Sequence, residues 1–125
     1  MPPDQLNSTC FDWTLIAASP TAVGHCRNFF DAATRTLERL ECHASTVNAG
    51  EASHAAHRHP DEELVIVKEG ELEVTVNGVS RVVGPGGLCF FAANDLHGMR
   101  NPGRVPATYF VVRIFPRDLH AAAPV

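Results

Sequence analysis

Four residues in this chain have types and spacing that suit metal chemistry: His57, His59, Glu63 and His97. His57 and His59 are two apart, and in a strand side chains at i and i+2 point to the same face, so both imidazoles would enter one space. Pro60-Asp61 then turns the chain, and Glu63 begins the next strand and returns a carboxylate to the same interior. Glu62 points the other way by alternation, into solvent. His97 follows in a later turn, with Asn101 four residues on. A His-x-His pair alone is common on polar surfaces. The full set is more specific: His-x-His, a glutamate after Pro60-Asp61-Glu62, a glycine at Gly70, and a third histidine in a Gly/Pro-rich context. Three neutral imidazoles and one carboxylate make a borderline-hard donor set for Mn, Fe, Co, Ni or Zn. On a metal that accepts six ligands they leave positions for water, substrate or oxygen.

Around this set lie further candidates. His43, on a strand before Gly50, is placed to line a pocket, where a histidine acts as acid or base; a strand histidine hydrogen-bonded at the barrel mouth is the equally weighted alternative. Met99 alternates with His97 and should face inward. Tyr109, Phe90, Phe91, Phe110 and Trp13 read as core. Arg113 interrupts an apolar strand; facing inward it would select a carboxylate, but an outward surface position is preferred. His54 reads as a solvated loop residue, with a supporting place near the metal or a weak alternative ligand as the other readings, and His25 and His120 read as exposed. Among other chemistries, no Ser-His-Asp or Cys-His pair has supporting context. Gly84-Pro-Gly-Gly87 precedes a strand rather than a helix, so it is a turn and not a phosphate cradle.

The elements that must position these residues are strands. Glycine and proline recur at short intervals, separated by short runs rich in Val, Leu, Ile, Phe and Thr. In Glu71–Val76, Leu72, Val74 and Val76 alternate with polar residues, so one face is buried and the other is wet. Asn77-Gly78 suits a two-residue hairpin turn, returning through Ser80 to Val83. Leu64–Val67, Leu88–Phe91 and Thr108–Phe115 read as apolar strands. Arg27–Phe30 and Arg35–Val47 are expected to form a hairpin around Asp31–Ala33, in preference to a short helix over Ala32–Glu41.

Length and composition fit this reading. The chain has 125 residues, 45% of them hydrophobic and 19% charged, which suits one globular domain. The expected division is an N-terminal arm over 1–23, a barrel over 24–116 and a tail over 117–125. A formal net charge of −4, without a basic stripe, argues against nucleic acid. No apolar stretch approaches a membrane span and no secretory leader is legible, so a soluble cytoplasmic protein is expected. Cys10, Cys26, Cys42 and Cys89 have no Cys-x2-Cys spacing and read as buried or partly buried thiols in a reducing compartment.

The residues from Gly50 to Asn101 resemble the two motifs of the cupin superfamily. The resemblance implies an all-β jelly-roll barrel, with one divalent metal ion (Mn, Fe, Ni, Co or Zn) held by His57, His59, Glu63 and His97. Gly70 matches the glycine of the first motif, Gly86 the opening glycine of the second, and Asn101 its closing asparagine. The pattern departs at Gly50, one residue early, and at Ala92 and Asn94, where the family carries proline and glycine; asparagine tolerates the left-handed conformation such a turn needs. The resemblance further implies a metalloenzyme acting on a small organic molecule, dioxygenation being favoured over isomerisation or decarboxylation. The competing readings are a non-catalytic small-molecule or sugar sensor, and a structural barrel braced by closed, four-coordinate zinc. A homodimer is expected, because an arm bearing Phe11, Trp13, Leu15 and Ile16 would leave an apolar patch on a monomer.

Overall fold

The computed structural model of the chain describes residues 4–117. The strands are β1 (Ala18–Thr21), β2 (Gly24–Ala32), β3 (Leu37–Val47), β4 (Glu62–Glu69), β5 (Leu72–Val76), β6 (Val79–Val83), β7 (Leu88–Phe91), β8 (His97–Arg100) and β9 (Ala107–Pro116). They form two antiparallel sheets, one ordered β1-β2-β3-β9-β4-β7 and the other β6-β5-β8. The only helical element among the described residues is a single 3-10 turn, Trp13–Leu15. The all-β expectation therefore holds.

Local sequence explains the turns that set the register. Asn77 and Gly78 have φ of 47° and 86°, the two positive values a type I′ turn requires, and they close β5 onto β6 with Val76 opposite Val79. Asn94 has φ of 64°, so it performs the left-handed turn expected of it. Gly70 is required for a different reason. Its φ is 75° and a Cβ there would lie 2.7 Å from the Pro106 carbonyl oxygen and 2.8 Å from Ala107 Cα, too close for any side chain. The first hairpin is strand, not helix, but it closes later than the sequence suggests, through residues 33–36 rather than 31–33.

The core lies between the sheets, where Val65, Val67, Leu72, Val74, Phe91, Ala107 and Tyr109 pack together. Strand β4 alternates buried and more exposed positions from Glu63 to Val67, the signature of one face turned to the core. Burying side chains such as Leu72 and Phe91, both about 1% exposed, contributes roughly 1.5–3 kcal/mol each. This core does not depend on the histidine set, so the barrel has its own reason to fold.

The opposite face of the larger sheet is covered in part by the chain's own N-terminal arm. Trp13 packs on Phe29 and Phe110, with ring centroids 6.1 and 5.5 Å apart. Arg27 and Lys68 place their cations 4.6 and 4.7 Å from the indole centre. Arg27 also donates to the carbonyls of Trp13 and Ile16, and β1 pairs with β2. Several expectations are corrected here. Trp13 and Phe110 belong to this outer aromatic layer rather than to the inter-sheet core. Phe90 is 55% exposed, because Phe91 takes the inward position and adjacent strand residues face opposite ways. Cys10 is exposed, while Cys26 and Cys42 are half-buried and Cys89 is buried; His25 is half-buried rather than exposed. His120 and the rest of the predicted tail beyond residue 117 lie outside the described residues.

Candidate metal centre

His57, His59, Glu63 and His97 converge as their spacing suggests, with one ligand atom from each lying within 4.8 Å of the others. The route differs from the one expected in a single respect. His57 and His59 are not on a regular strand; His57 makes an isolated bridge with His97, its N–H donating to the His97 carbonyl at 2.9 Å and its carbonyl accepting from the His97 N–H at 3.0 Å. The His59 carbonyl accepts from Asn94 N–H at 2.8 Å, and Arg58 donates to the Asn94 carbonyl at 3.2 Å. The loop is thus strapped to the 92–95 turn. Glu63 enters from β4 and His97 opens β8. Glu62 points out as expected and accepts from Ala93 N–H.

Hydrogen bonds fix which nitrogen two of the rings offer. His59 Nδ1 lies 2.9 Å from the Asp61 carbonyl and His97 Nδ1 lies 3.0 Å from the Asp95 carbonyl. A carbonyl only accepts, so both Nδ1 atoms carry a proton, and in the neutral ring both Nε2 atoms present lone pairs. His59 Nε2 then stands 3.0 Å from Glu63 Oε1, and His97 Nε2 stands 3.7 Å from the same oxygen. Two acceptors at such separations repel unless a proton or a metal ion lies between them. The Nε2 atoms of His57 and His97 are buried without a hydrogen-bond partner, which is costly unless something satisfies them. Burial first, then the neighbouring His54, His97 and His59, hold the His57 imidazole down at about 4, so it is neutral at physiological pH. Three imidazoles and one carboxylate whose donor atoms converge on one point form a set that could hold a divalent metal ion.

Sequence comparison matches residues 44–113 to the family described as Cupin domain (Cupin_2), more than half of the chain. The chain belongs to the cupin family. No curated protein matches this cupin. Among solved structures it is similar to an RmlC-like cupin from Shewanella frigidimarina, with TM-score 0.71 and 18% identity over 90% of this chain and 95% of that one. It is also similar to a predicted oxalate decarboxylase from Thermotoga maritima, with TM-score 0.68 and 15% identity over 86% and 99% of the two chains. A sugar phosphate isomerase from Silicibacter pomeroyi gives TM-score 0.57 and 27% identity, over 60% of this chain and half (50%) of that one.

Beside the four candidate ligands the cupin barrel holds a cavity of about 180 Å³. All four pocket candidates, His43, Met99, Tyr109 and Arg113, line it. His43 Nδ1 lies 2.7 and 3.0 Å from the two Glu41 carboxylate oxygens. That pins its Nδ1 proton and leaves Nε2 as the free nitrogen of the ring. Tyr109 O–H and Ser53 Oγ are hydrogen-bonded at 2.9 Å. Burial pushes the Tyr109 phenol up against the lowering effect of its hydroxyl partners Ser53 and Ser45, so it stays protonated. His54 stacks on His57 with centroids 4.1 Å apart; it is an exposed loop residue that also covers a candidate ligand.

Arg113 corrects the surface reading. It faces inward and grips Asp61 with two bonds of 2.7 Å, from Nε and Nη2. Asp61, read only as a turn residue, is 4% exposed. Burial alone would raise its pKa, but the hydrogen bonds and charge of Arg113, helped by His59, leave it lowered. Asp61 thus carries a fixed negative charge, with its carbonyl on His59 Nδ1 and its Oδ1 3.2 Å from the same atom. Arg113 therefore acts through Asp61 to orient His59, one of the four residues that could hold a metal, and its charge is already neutralised. On the far side, Phe91 stacks flat on His97 at 4.3 Å and 7°. Asn101 is 1% exposed; its Nδ2 donates to the carbonyls of Val47 and Val105, and its Oδ1 accepts from Gly103 N–H.

The His57 environment sets an expected acid response. Its folded pKa of about 4 lies below its ordinary 6.5, so between these values the unfolded chain binds more protons than the native one and stability falls as pH falls. Asp61, also depressed, adds a further loss below the ordinary carboxylate range. Metal-free protein should therefore melt progressively lower from pH 6.5 towards 4, and the extra stability conferred by metal should shrink over the same window as protons compete for the rings. Thermal melting with and without metal checks this; a melting temperature unchanged between pH 7 and 4.5 would contradict it.

Proposed function

We propose that this cupin is a metal-dependent enzyme acting on a small organic molecule that reaches the metal through the cavity beside it, with dioxygenation the favoured reaction and isomerisation or decarboxylation its competitors. The observation that carries the reading is the set of Nε2 lone pairs and one carboxylate converging at the edge of an open cavity rather than inside a sealed cage. A metal ion held there would polarise a substrate oxygen and lower the pKa of a bound water.

The chain's own residues supply the remaining parts. His43, with Nδ1 tied to Glu41, offers Nε2 to accept or return a proton on a substrate atom in the cavity. The Ser53–Tyr109 hydroxyl pair offers hydrogen bonds to substrate oxygens. Met99 and Val111 line the cavity with apolar surface. The Arg113 guanidinium is engaged by Asp61, so among the described residues the cavity lining offers no uncommitted Arg or Lys for a phosphate group. That argues against a phosphorylated sugar and for a substrate that binds chiefly through the metal. The test is to load chelator-treated protein with Mn, Fe, Co, Ni or Zn in turn and follow oxygen uptake against small phenols, diketones and acids. Oxygen uptake coupled to product supports the favoured reaction. Oxygen-independent carbon dioxide release or isomer formation selects a competitor, and saturable binding without turnover makes the protein a sensor.

A cytoplasmic location belongs to the same proposal; no helix among the described residues is long and apolar enough to cross a membrane. So does a homodimer. The arm satisfies part of its apolar surface within its own chain, yet Leu15 and Ile66 remain 81% and 39% exposed, which favours a second copy as cover. Light scattering should give twice the chain mass at micromolar concentration; a monomer there would contradict it.

A further inference from the structure

The two sheets do not close along one side of the barrel. β6 ends the smaller sheet and β7 ends the larger, with no pairing between them. Between these edges lies a second cavity, of about 470 Å³ and open to solvent, lined by neither the metal ligands nor the residues of the first cavity. Its apolar walls include Val74 and Val83 from one sheet and Cys89 and Phe91 from the other. Arg81 also lines it. In the β5–β6 pairing Arg81 stands opposite Val74, as Val83 stands opposite Leu72 and Val79 opposite Val76. Residues directly opposite in an antiparallel pair share a face, so Arg81 belongs to the face that carries Leu72 and Val74 into the core. It forms no hydrogen bond or ion pair among the described residues.

We propose that this seam binds an amphipathic monoanion, a medium-chain or aryl-alkyl carboxylate, with its apolar body between the sheets and its carboxylate on Arg81. The walls supply the burial that apolar ligands seek, in a volume within the usual range for small-molecule sites. A single unpartnered guanidinium at the rim complements one carboxylate and gives the ligand one orientation. The floor of the seam is Phe91, whose ring lies against the His97 imidazole at 4.3 Å, so an occupant would sit back to back with the metal centre without entering it. Arginine facing inward on an edge strand has another known use, to discourage pairing with a second chain, and the test separates the two.

Decanoate serves as the probe and decanol as its uncharged counterpart, measured by calorimetry on the full chain as purified and again after chelation. Decanoate should bind saturably, at one per chain and with Kd below about 1 mM, and equally well without metal, since no ligand residue lines the seam. This independence keeps the proposal separate from the enzymatic reading. Arg81→Gln should weaken decanoate about tenfold or more and leave decanol within about twofold. Decanoate should also slow alkylation of the buried Cys89 thiol while leaving the exposed Cys10 unaffected. Arg81 lies on an exposed edge, so its variant should fold. Absence of saturable decanoate binding would overturn the proposal. So would equal loss of decanoate and decanol in Arg81→Gln, or self-association of that variant with decanoate affinity unchanged, the result that marks Arg81 as an edge guard.

Discussion

His59→Ala is expected to remove stoichiometric metal while leaving a folded barrel. His59 contributes one of the lone pairs, and its ring lies outside the inter-sheet core that holds the sheets together. Its thermal melt without metal should match that of the metal-free wild type closely, because the wild type loses the same metal and the two differ only at a half-buried loop. His97→Ala should also lose the metal, but at a larger structural cost. His97 is 1% exposed and covers one face of Phe91, so its removal opens a cavity beside a core aromatic, a change that costs roughly 2–4 kcal/mol. The two histidines are thus separable: metal analysis should score both variants alike, while denaturant unfolding should distinguish them. Equal stability of the two metal-free variants would contradict the burial argument. Metal retained by His59→Ala would contradict its role as a ligand.

The second large effect is expected at Arg113. Arg113→Leu leaves Asp61 charged, 4% exposed and without its guanidinium, and breaking a buried pair from one side costs about 3–5 kcal/mol. Because Asp61 also orients His59 through its carbonyl at 2.9 Å, metal affinity should fall about 10–100-fold in the same variant. The double variant Arg113→Leu, Asp61→Asn should recover much of the stability, since no buried charge is then left alone, yet recover metal affinity only in part. Unfolding and metal titration on the three proteins measure both effects. A single variant that unfolds like wild type, or a double variant as unstable as the single one, would refute the account of this pair.

The convergence of His57, His59, Glu63 and His97 was legible in the sequence because three of them fall within seven residues and the fourth sits in a turn with its own signature. The Asn77-Gly78 hairpin and the left-handed Asn94 were legible for the same reason: each is a local conformational demand met by a residue type. The Arg113–Asp61 pair was not, because its partners are separated by 52 residues and meet only when β4 and β9 align with Glu63 opposite Arg113. A signal was present nonetheless, since Tyr109, Val111 and Arg113 share one alternation and so one face. Leu88–Phe91 hid its orientation behind a continuous apolar run, in which every residue satisfies either face; only the register with β4 shows that Phe91 is inside and Phe90 outside. The N-terminal arm misled in another way. Its aromatic content announced a surface to be covered, but whether its own chain or a second copy covers it is a tertiary matter, and here Phe29, Phe110 and Arg27 take up part of it.

The central claim is that His57, His59, Glu63 and His97 hold one divalent metal ion with coordination positions left open. Titration of chelator-treated protein with Co(II), followed by its visible absorption, tests it most directly. The account predicts saturation at one ion per chain, weak bands of a five- or six-coordinate ion, and a change in those bands when a small chelating acid is added. No saturable uptake, or intense four-coordinate bands that added acid does not perturb, would contradict it.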